Sequence, residues 1–171
     1  MRKNIRIAVL LTCLPILLLQ QSCGYKLSGA SIPDDMKTIS VDFFENTSSL
    51  VVPYLSQSFT EELKNRIRNQ TRMGVVRTEG DANFQGRISD YSIRPVAVQG
   101  NERAGLNRLS ITVNVKYTNT LKPDQSFEQT FTRFQDIDLN AGPLQAQESR
   151  LIPIINRQLS EDIFNRAFAN W

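Results

Sequence analysis

Histidine is absent from the 171-residue chain. That excludes Ser-His-Asp and Cys-His catalysis and the commonest zinc ligand sets. Cysteine is nearly absent. Only Cys13 and Cys23 occur, and Cys13 sits in an N-terminal segment with the features of a cleaved leader. The chain that follows then holds one thiol and no internal disulfide, although exported proteins often rely on disulfides. No apolar run reaches the roughly 18–20 residues that cross a bilayer. The longest, residues 7–19, is interrupted by Thr12 and Pro15. There is no Gly-rich phosphate loop, no metal-ligand cluster, no nucleophile-base pair and no repeat of 20–50 residues. These absences leave an enzyme only carboxylates, lysines and hydroxyls to work with, and the expectation is a protein that is not an enzyme and carries no cofactor.

An excess of one charge is also missing from most of the chain. The formal net charge is +3 and the sequence pI about 9.0, values that would raise nucleic acid as a partner. Arg2, Lys3 and Arg6 supply that whole excess. Without these three, 17 Lys and Arg face 17 Asp and Glu, so no nucleic-acid partner is expected. The three cations precede the short apolar run, and together they have the build of an export signal over residues 1–22. The run ends in Ser22-Cys23-Gly24, which resembles a bacterial lipoprotein signal. That resemblance implies cleavage before Cys23 and a covalent lipid on its sulfur, which would account for the lone thiol. Residues 23–171 are then expected to form a single domain, large enough to hold a core without staples.

What is present is patterned. Residues 24–28 alternate and open a strand near the anchor, while Asp34 and Asp35 have the setting of solvated turn residues. Ile39, Val41 and Phe43 alternate on one face of a strand over 38–43. Val52, Leu55, Phe59, Leu63 and Ile67 make one helical stripe over 52–72, with Pro53 in its first turn and Ser48 or Ser49 as its cap. A short strand begins at Val75. A long one over 82–99 changes phase near Ser89-Asp90, which predicts a β-bulge. Leu109, Ile111, Val113, Val115 and Tyr117 alternate without error, predicting an antiparallel strand with one wet face. A strand over 126–138 follows, and its Asp136 and Asp138 are a candidate carboxylate pair. A helix from about 145 or 148 to 169 closes the chain, with Ile152, Ile155, Leu159, Ile163 and Ala167 as its stripe and Pro153 as a kink or a restart. This order predicts an α+β two-layer sandwich, with two helices packed on one face of a mainly antiparallel sheet of about four strands.

Several stretches, taken in order, resemble the LptE family of lipopolysaccharide-assembly lipoproteins in its Bacteroidetes form. They are Cys23-Gly24-Tyr25-Lys26-Leu27-Ser28-Gly29, Ile32-Pro33 before Thr38-Ile39-Ser40-Val41, and Phe44-Glu45-Asn46. They continue in Ser110-Ile111-Thr112-Val113-Asn114-Val115-Lys116-Tyr117, Phe131-Thr132-Arg133-Phe134 and Asp162-Ile163-Phe164-Asn165-Arg166-Ala167-Phe168. The resemblance implies a protein held to the outer membrane by its lipid on the periplasmic side. It implies a β-barrel partner, LptD, which the chain plugs while lipopolysaccharide is assembled. Contact with lipopolysaccharide phosphates needs cations, because charge-assisted bonds to phosphate are the strong ones. Arg94, Arg103, Arg108 and Lys116, on or beside the central hairpin, are the candidates. The competing reading is a generic periplasm-facing lipoprotein, a scaffold for another envelope machine.

Overall fold

The computed structural model describes residue 32 and residues 35–96, 106–138 and 140–169. Cys23, the strand expected at 24–28, Asp34, Arg103 and Trp171 lie outside the described residues. The elements are β1 (Thr38–Val41), β2 (Glu45–Asn46), α1 (Leu55–Gln70), β3 (Gly74–Val76), β4 (Ala82–Pro95), β5 (Leu106–Asn119), a 3-10 turn (Pro123–Gln125), β6 (Phe127–Asp138) and α2 (Leu144–Phe168). The fold class is the expected α+β sandwich, with both helices on one face of the sheet.

The sheet itself differs from expectation. It has six strands in the order β3-β1-β4-β5-β6, with β2 also against β4. Only β4/β5 and β5/β6 are antiparallel; β1/β3, β1/β4 and β2/β4 are parallel. The reason is the helix between β1 and β3: a strand that crosses over through a helix returns parallel. Alternation in strands of two to four residues carries no sign of their direction, so sequence order makes hairpins the natural expectation. The connection from β3 to β4 must also pass β1. Gly80 makes this possible, since a Cβ there would lie 2.9 Å from Ile39 N and Cα. Asp81 then fastens the crossing. Its Oδ2 accepts the amide protons of Lys37 and Thr38, each at 2.8 Å, and the Thr38 hydroxyl at 3.0 Å. These bonds hold its carboxyl below the usual carboxylate range.

Between the layers lies one aromatic-rich core. Leu55, Phe59, Leu63 and Ile67 of α1, and Ile152, Ile155, Leu159 and Ile163 of α2, are fully buried, as the stripes predicted. Phe84, Tyr117, Phe127, Phe164 and Phe168 form a continuous chain of ring contacts 4.8–6.2 Å apart. Phe43 is a correction. The strand ends at Val41, Phe43 is 58% exposed, and Phe44 turns inward instead. The Phe44 amide donates to Thr60 Oγ1 at 3.1 Å, and its ring meets Phe59 edge to face at 5.1 Å. Pro53 lies outside α1, and Ser48 caps no helix: its Oγ is 2.6 Å from Asn46 Oδ1 and 2.8 Å from the Leu50 carbonyl. Pro153 lies within α2 on its exposed side, so the carbonyl left without a partner faces water.

Candidate functional site

Among the described residues the helices leave the other sheet face open, and β4, β5 and β6 write its chemistry in rows. Strand register fixes the rows, because side chains two apart share a face. Ser89 is the bulge expected from the phase change: the register shifts between Ile88 and Asp90. Beyond it, Asp90, Ser92 and Arg94 stand on the open face. Val96, Leu106 and Asp138 close the row nearest the hairpin end, the first two bonded through the Val96 amide and Leu106 carbonyl at 2.9 Å. Next come Arg94, Arg108 and Asp136, then Ser92, Ser110 and Phe134, then Asp90, Thr112 and Thr132.

Two arginines directly opposite one another are unfavourable in a sheet unless something offsets them. Asp136 offsets one. It accepts from Arg108 Nε at 2.8 Å and Nη2 at 3.1 Å, the forked pairing that fits guanidinium to carboxylate. The Arg108 guanidinium also lies 3.8 Å from the centre of the Phe134 ring. Arg94 has neither restraint: it is exposed and forms no ion pair among the described residues. A groove of about 510 Å³ runs between them over Ser92, Ser110, Thr112 and Thr132. Asp90 also lines it, with its Oδ2 accepting the Ser92 hydroxyl at 3.0 Å. Chemically this is one available cation beside one clamped cation, on a floor of hydroxyls.

Of the residues picked from sequence, the fold therefore joins Arg94 and Arg108. Lys116 stands apart, opposite Gln85 and Glu128 and eight residues along β5, roughly 27 Å from Arg108. Phe134 carries no sign of this in the sequence, and Asp136 shows there only as half of a carboxylate pair, because only the β5/β6 register brings them to Arg108. The carboxylate pair is also resolved into separate jobs: Asp136 holds Arg108, while Asp138 Oδ1 accepts the Asn140 amide proton at 2.8 Å.

The clamp carries a pH dependence. The bonds from Arg108 hold the Asp136 carboxyl below its ordinary value, as the backbone amides do for Asp81. A depressed native pKa gives stability that is present above the unfolded value near 3.9 and lost as pH falls through the native one. The urea midpoint of the wild type is therefore expected to hold from about pH 7 to pH 5 and to drop below about pH 4. The Asp81→Asn, Asp136→Asn double variant should start lower at neutral pH and show a shallower acid limb. Identical acid limbs in the two proteins would refute this assignment.

Comparison with known proteins places the fold. The NMR structure of lipoprotein B from Nitrosomonas europaea superposes with a TM-score of 0.53 at 16% identity, covering 83% of this chain and 88% of that one. A minor lipoprotein from Acinetobacter baumannii gives 0.51 at 15% identity, covering 77% and 91%. A hypothetical protein from Chlamydia trachomatis gives 0.55 at 9%, covering 77% and 95%. No curated protein matches the chain in sequence. The profile of the family described as LptE, lipopolysaccharide-assembly, matches residues 36–167, from the residue before the Asp81-capped start of β1 to the last turn of α2. The chain belongs to the LptE lipopolysaccharide-assembly family.

Proposed function

We propose that this chain is a lipid-anchored accessory of a lipopolysaccharide translocon at the outer membrane. It sits on the periplasmic side, held through Cys23 after loss of residues 1–22. Residues 23–171 act as one domain that plugs the lumen of an LptD-like β-barrel and assists delivery of lipopolysaccharide. The observation that carries this reading is the Arg94–Arg108 pair over a hydroxylated groove in a member of a lipopolysaccharide-assembly family. Charge balance supports the plug role. A large barrel lumen is polar and wet, and a stopper with equal numbers of both signs is at home there. The role is binding, not catalysis. Asp136 and Asp138, the carboxylates nearest one another on β6, are each engaged in holding a neighbour.

Depletion of the protein is expected to stop lipopolysaccharide from reaching the cell surface, read by surface labelling against the total pool. Affinity capture through the chain should bring down a large β-barrel. Capture of other envelope proteins with no barrel, and unchanged surface lipopolysaccharide, would favour the generic scaffold instead. Mass spectrometry should find Cys23 as the acylated N-terminus, and alanine at both Asp136 and Asp138 should leave a folded protein that still captures the barrel.

A further inference from the structure

Two long stretches without charge meet where the helices begin. Residues 46–60, which lead from β2 into α1, contain no Asp, Glu, Lys or Arg, and neither do residues 139–147, which lead from β6 into α2. The chain as a whole is 22% charged, so runs of this length are not a sampling accident. Connections at the opposite end, 71–73, 77–81 and 120–126, carry both signs. The helices run parallel: Asn156 of α2 donates to Ser58 of α1 at 3.1 Å, and Arg66 of α1 to Ser160 of α2 at 2.9 Å. Both N-termini therefore face one end, and α2 projects roughly two to three turns beyond α1. Leu50, Val51 and Tyr54 lie on the step so formed, 52%, 70% and 46% exposed, and Leu144 on the projection is 39% exposed. The loops here also close polar groups on themselves. The Leu50 carbonyl accepts the Ser48 hydroxyl at 2.8 Å and the Asn46 side-chain amide at 3.4 Å, and the Val52 carbonyl accepts the Leu55 amide at 3.1 Å. Gln147 Nε2 donates to the carbonyls of Asp138 and Gly142 at 2.8 and 2.9 Å. Pro53 and Pro143 have no N–H to satisfy. The acids that flank residues 139–147 are engaged: Glu148 accepts the Tyr91 hydroxyl and Asp138 the Asn140 amide.

We propose that this uncharged patch is a second membrane contact, which seats the anchored domain on the surface of a phospholipid bilayer. Leu50, Val51, Tyr54 and Leu144 enter the interfacial layer. Burying them gains the usual apolar stabilisation, and the self-bonded loops strand few polar groups as water leaves. Three observations choose lipid over a protein partner or a second copy. Neither helix has a side-chain cap or an acid in its first turn. The N–H groups that open them need acceptors from outside, and a bilayer surface supplies phosphate and ester oxygens where an apolar protein patch supplies none. Arg150 is exposed on α2 about 9 Å behind Leu144, a depth at which a cation meets headgroups while the apolar tip lies deeper. Reach is the third. Cys23 lies nine residues before Ile32, a span of at most about 32 Å. A domain tethered so closely meets the bilayer at an effective concentration of about millimolar, so a weak contact suffices. This reading rests on the lipid anchor of the proposed function and goes further: the fold orients the domain that the tether holds. It concerns the anchored chain before it enters a barrel.

The test uses the acylated mature chain in vesicles of phosphatidylethanolamine and phosphatidylglycerol with brominated acyl chains. Lipid occupies Cys23, so a cysteine introduced elsewhere is the one thiol open to a bimane label. Val51→Cys and Leu144→Cys probe the patch. Leu121→Cys, at another exposed leucine just past the far end of β5, is the control. Labels at 51 and 144 are expected to shift to the blue and lose most of their emission to bromine, while the label at 121 keeps its colour and intensity. Adding Leu50→Glu and Val51→Glu to the 144-labelled chain should restore its emission, with flotation and melting temperature unchanged. A chain that floats with the vesicles yet shows no quenching at 51 and 144 overturns the second contact and leaves the anchor standing. A chain that does not float removes the anchor, and this contact with it. Equal quenching at 51 and 121 shows a domain without orientation and overturns the proposal as well. A blue shift at 51 that grows with protein concentration in a Cys23→Ser chain without vesicles assigns the patch to a second copy instead.

Discussion

Replacing Gly86 with alanine is expected to destabilise the protein by at least about 3 kcal/mol. Gly86 lies in the middle of β4 opposite Val115, on the face that the helices cover. Glycine weakens a strand interior, so its presence here needs a physical reason. The reason is the Phe44 ring, which comes down onto the strand after the chain leaves β1. A Cβ at position 86 would stand 2.6 Å from Phe44 Cε1 and 2.1 Å from the backbone oxygen of Asn114. The first contact is with a ring that can move; the second is with the ladder between β4 and β5. Relief there means breaking strand hydrogen bonds in the longest pairing of the sheet. Domains of this kind are stable by only about 5–15 kcal/mol, so the loss is a large share of the total. Expressed as melting temperature, the fall should be roughly 6–12 °C. Gly142→Ala is the control. Its φ of +120° strains an alanine, yet no described residue lies within 4 Å of the added methyl. That cost should stay near 1–2 kcal/mol, the strain of the backbone alone. Gly86→Ala melting within about 2 °C of the wild type would show that the two strands can part without loss.

That glycine also marks where sequence reading gave out. The helix stripes, the error-free alternation from Leu109 to Tyr117 and the bulge at Ser89 were all legible, because each is a local period and the core obeys local periods. What depends on distant pairing was not. Nothing around Gly86 signals that Phe44, 42 residues earlier, will occupy the space a side chain would need. The parallel half of the sheet was hidden for a related reason. β1, β2 and β3 hold four, two and three residues, and their direction is decided by the helix crossing between β1 and β3. Phe43 and Phe44 show the limit at a single residue: extending the strand by one period turned the wrong ring inward. The candidate site was half legible. Its cations were visible as residue types, but only register could separate Arg94 and Arg108 from Lys116 or bring Asp136 and Phe134 beside Arg108. Position 103 remains outside the described residues, so Arg103 stays a candidate by sequence alone.

The same distinction yields the second large effect. Phe84 and Phe134 are both strand phenylalanines, and composition gives no ground for treating them differently. Phe84 is fully buried at the centre of the ring chain, with its centroid 4.8 Å from Tyr117 and 6.2 Å from Phe168. Cutting it to alanine removes the ring and leaves a cavity between β4 and the last turn of α2, where neighbours cannot collapse without unpacking the helix. The expected cost is about 3–5 kcal/mol, visible as a matching fall in the urea midpoint at unchanged slope. Phe134 is 46% exposed on the open face and touches the Arg108 guanidinium. Its removal to alanine should cost less than about 1 kcal/mol of stability, the scale of an exposed cation–π contact. Its effect should appear in binding, because Arg108 then has only the Asp136 fork to hold it beside Arg94. Phe84→Ala should therefore unfold early with no selective loss of ligand while folded, and Phe134→Ala should melt normally yet bind lipopolysaccharide more weakly. If Phe134→Ala loses as much stability as Phe84→Ala, then β6 turns that ring into the core. The open face, and with it the row of cations, would then be misassigned.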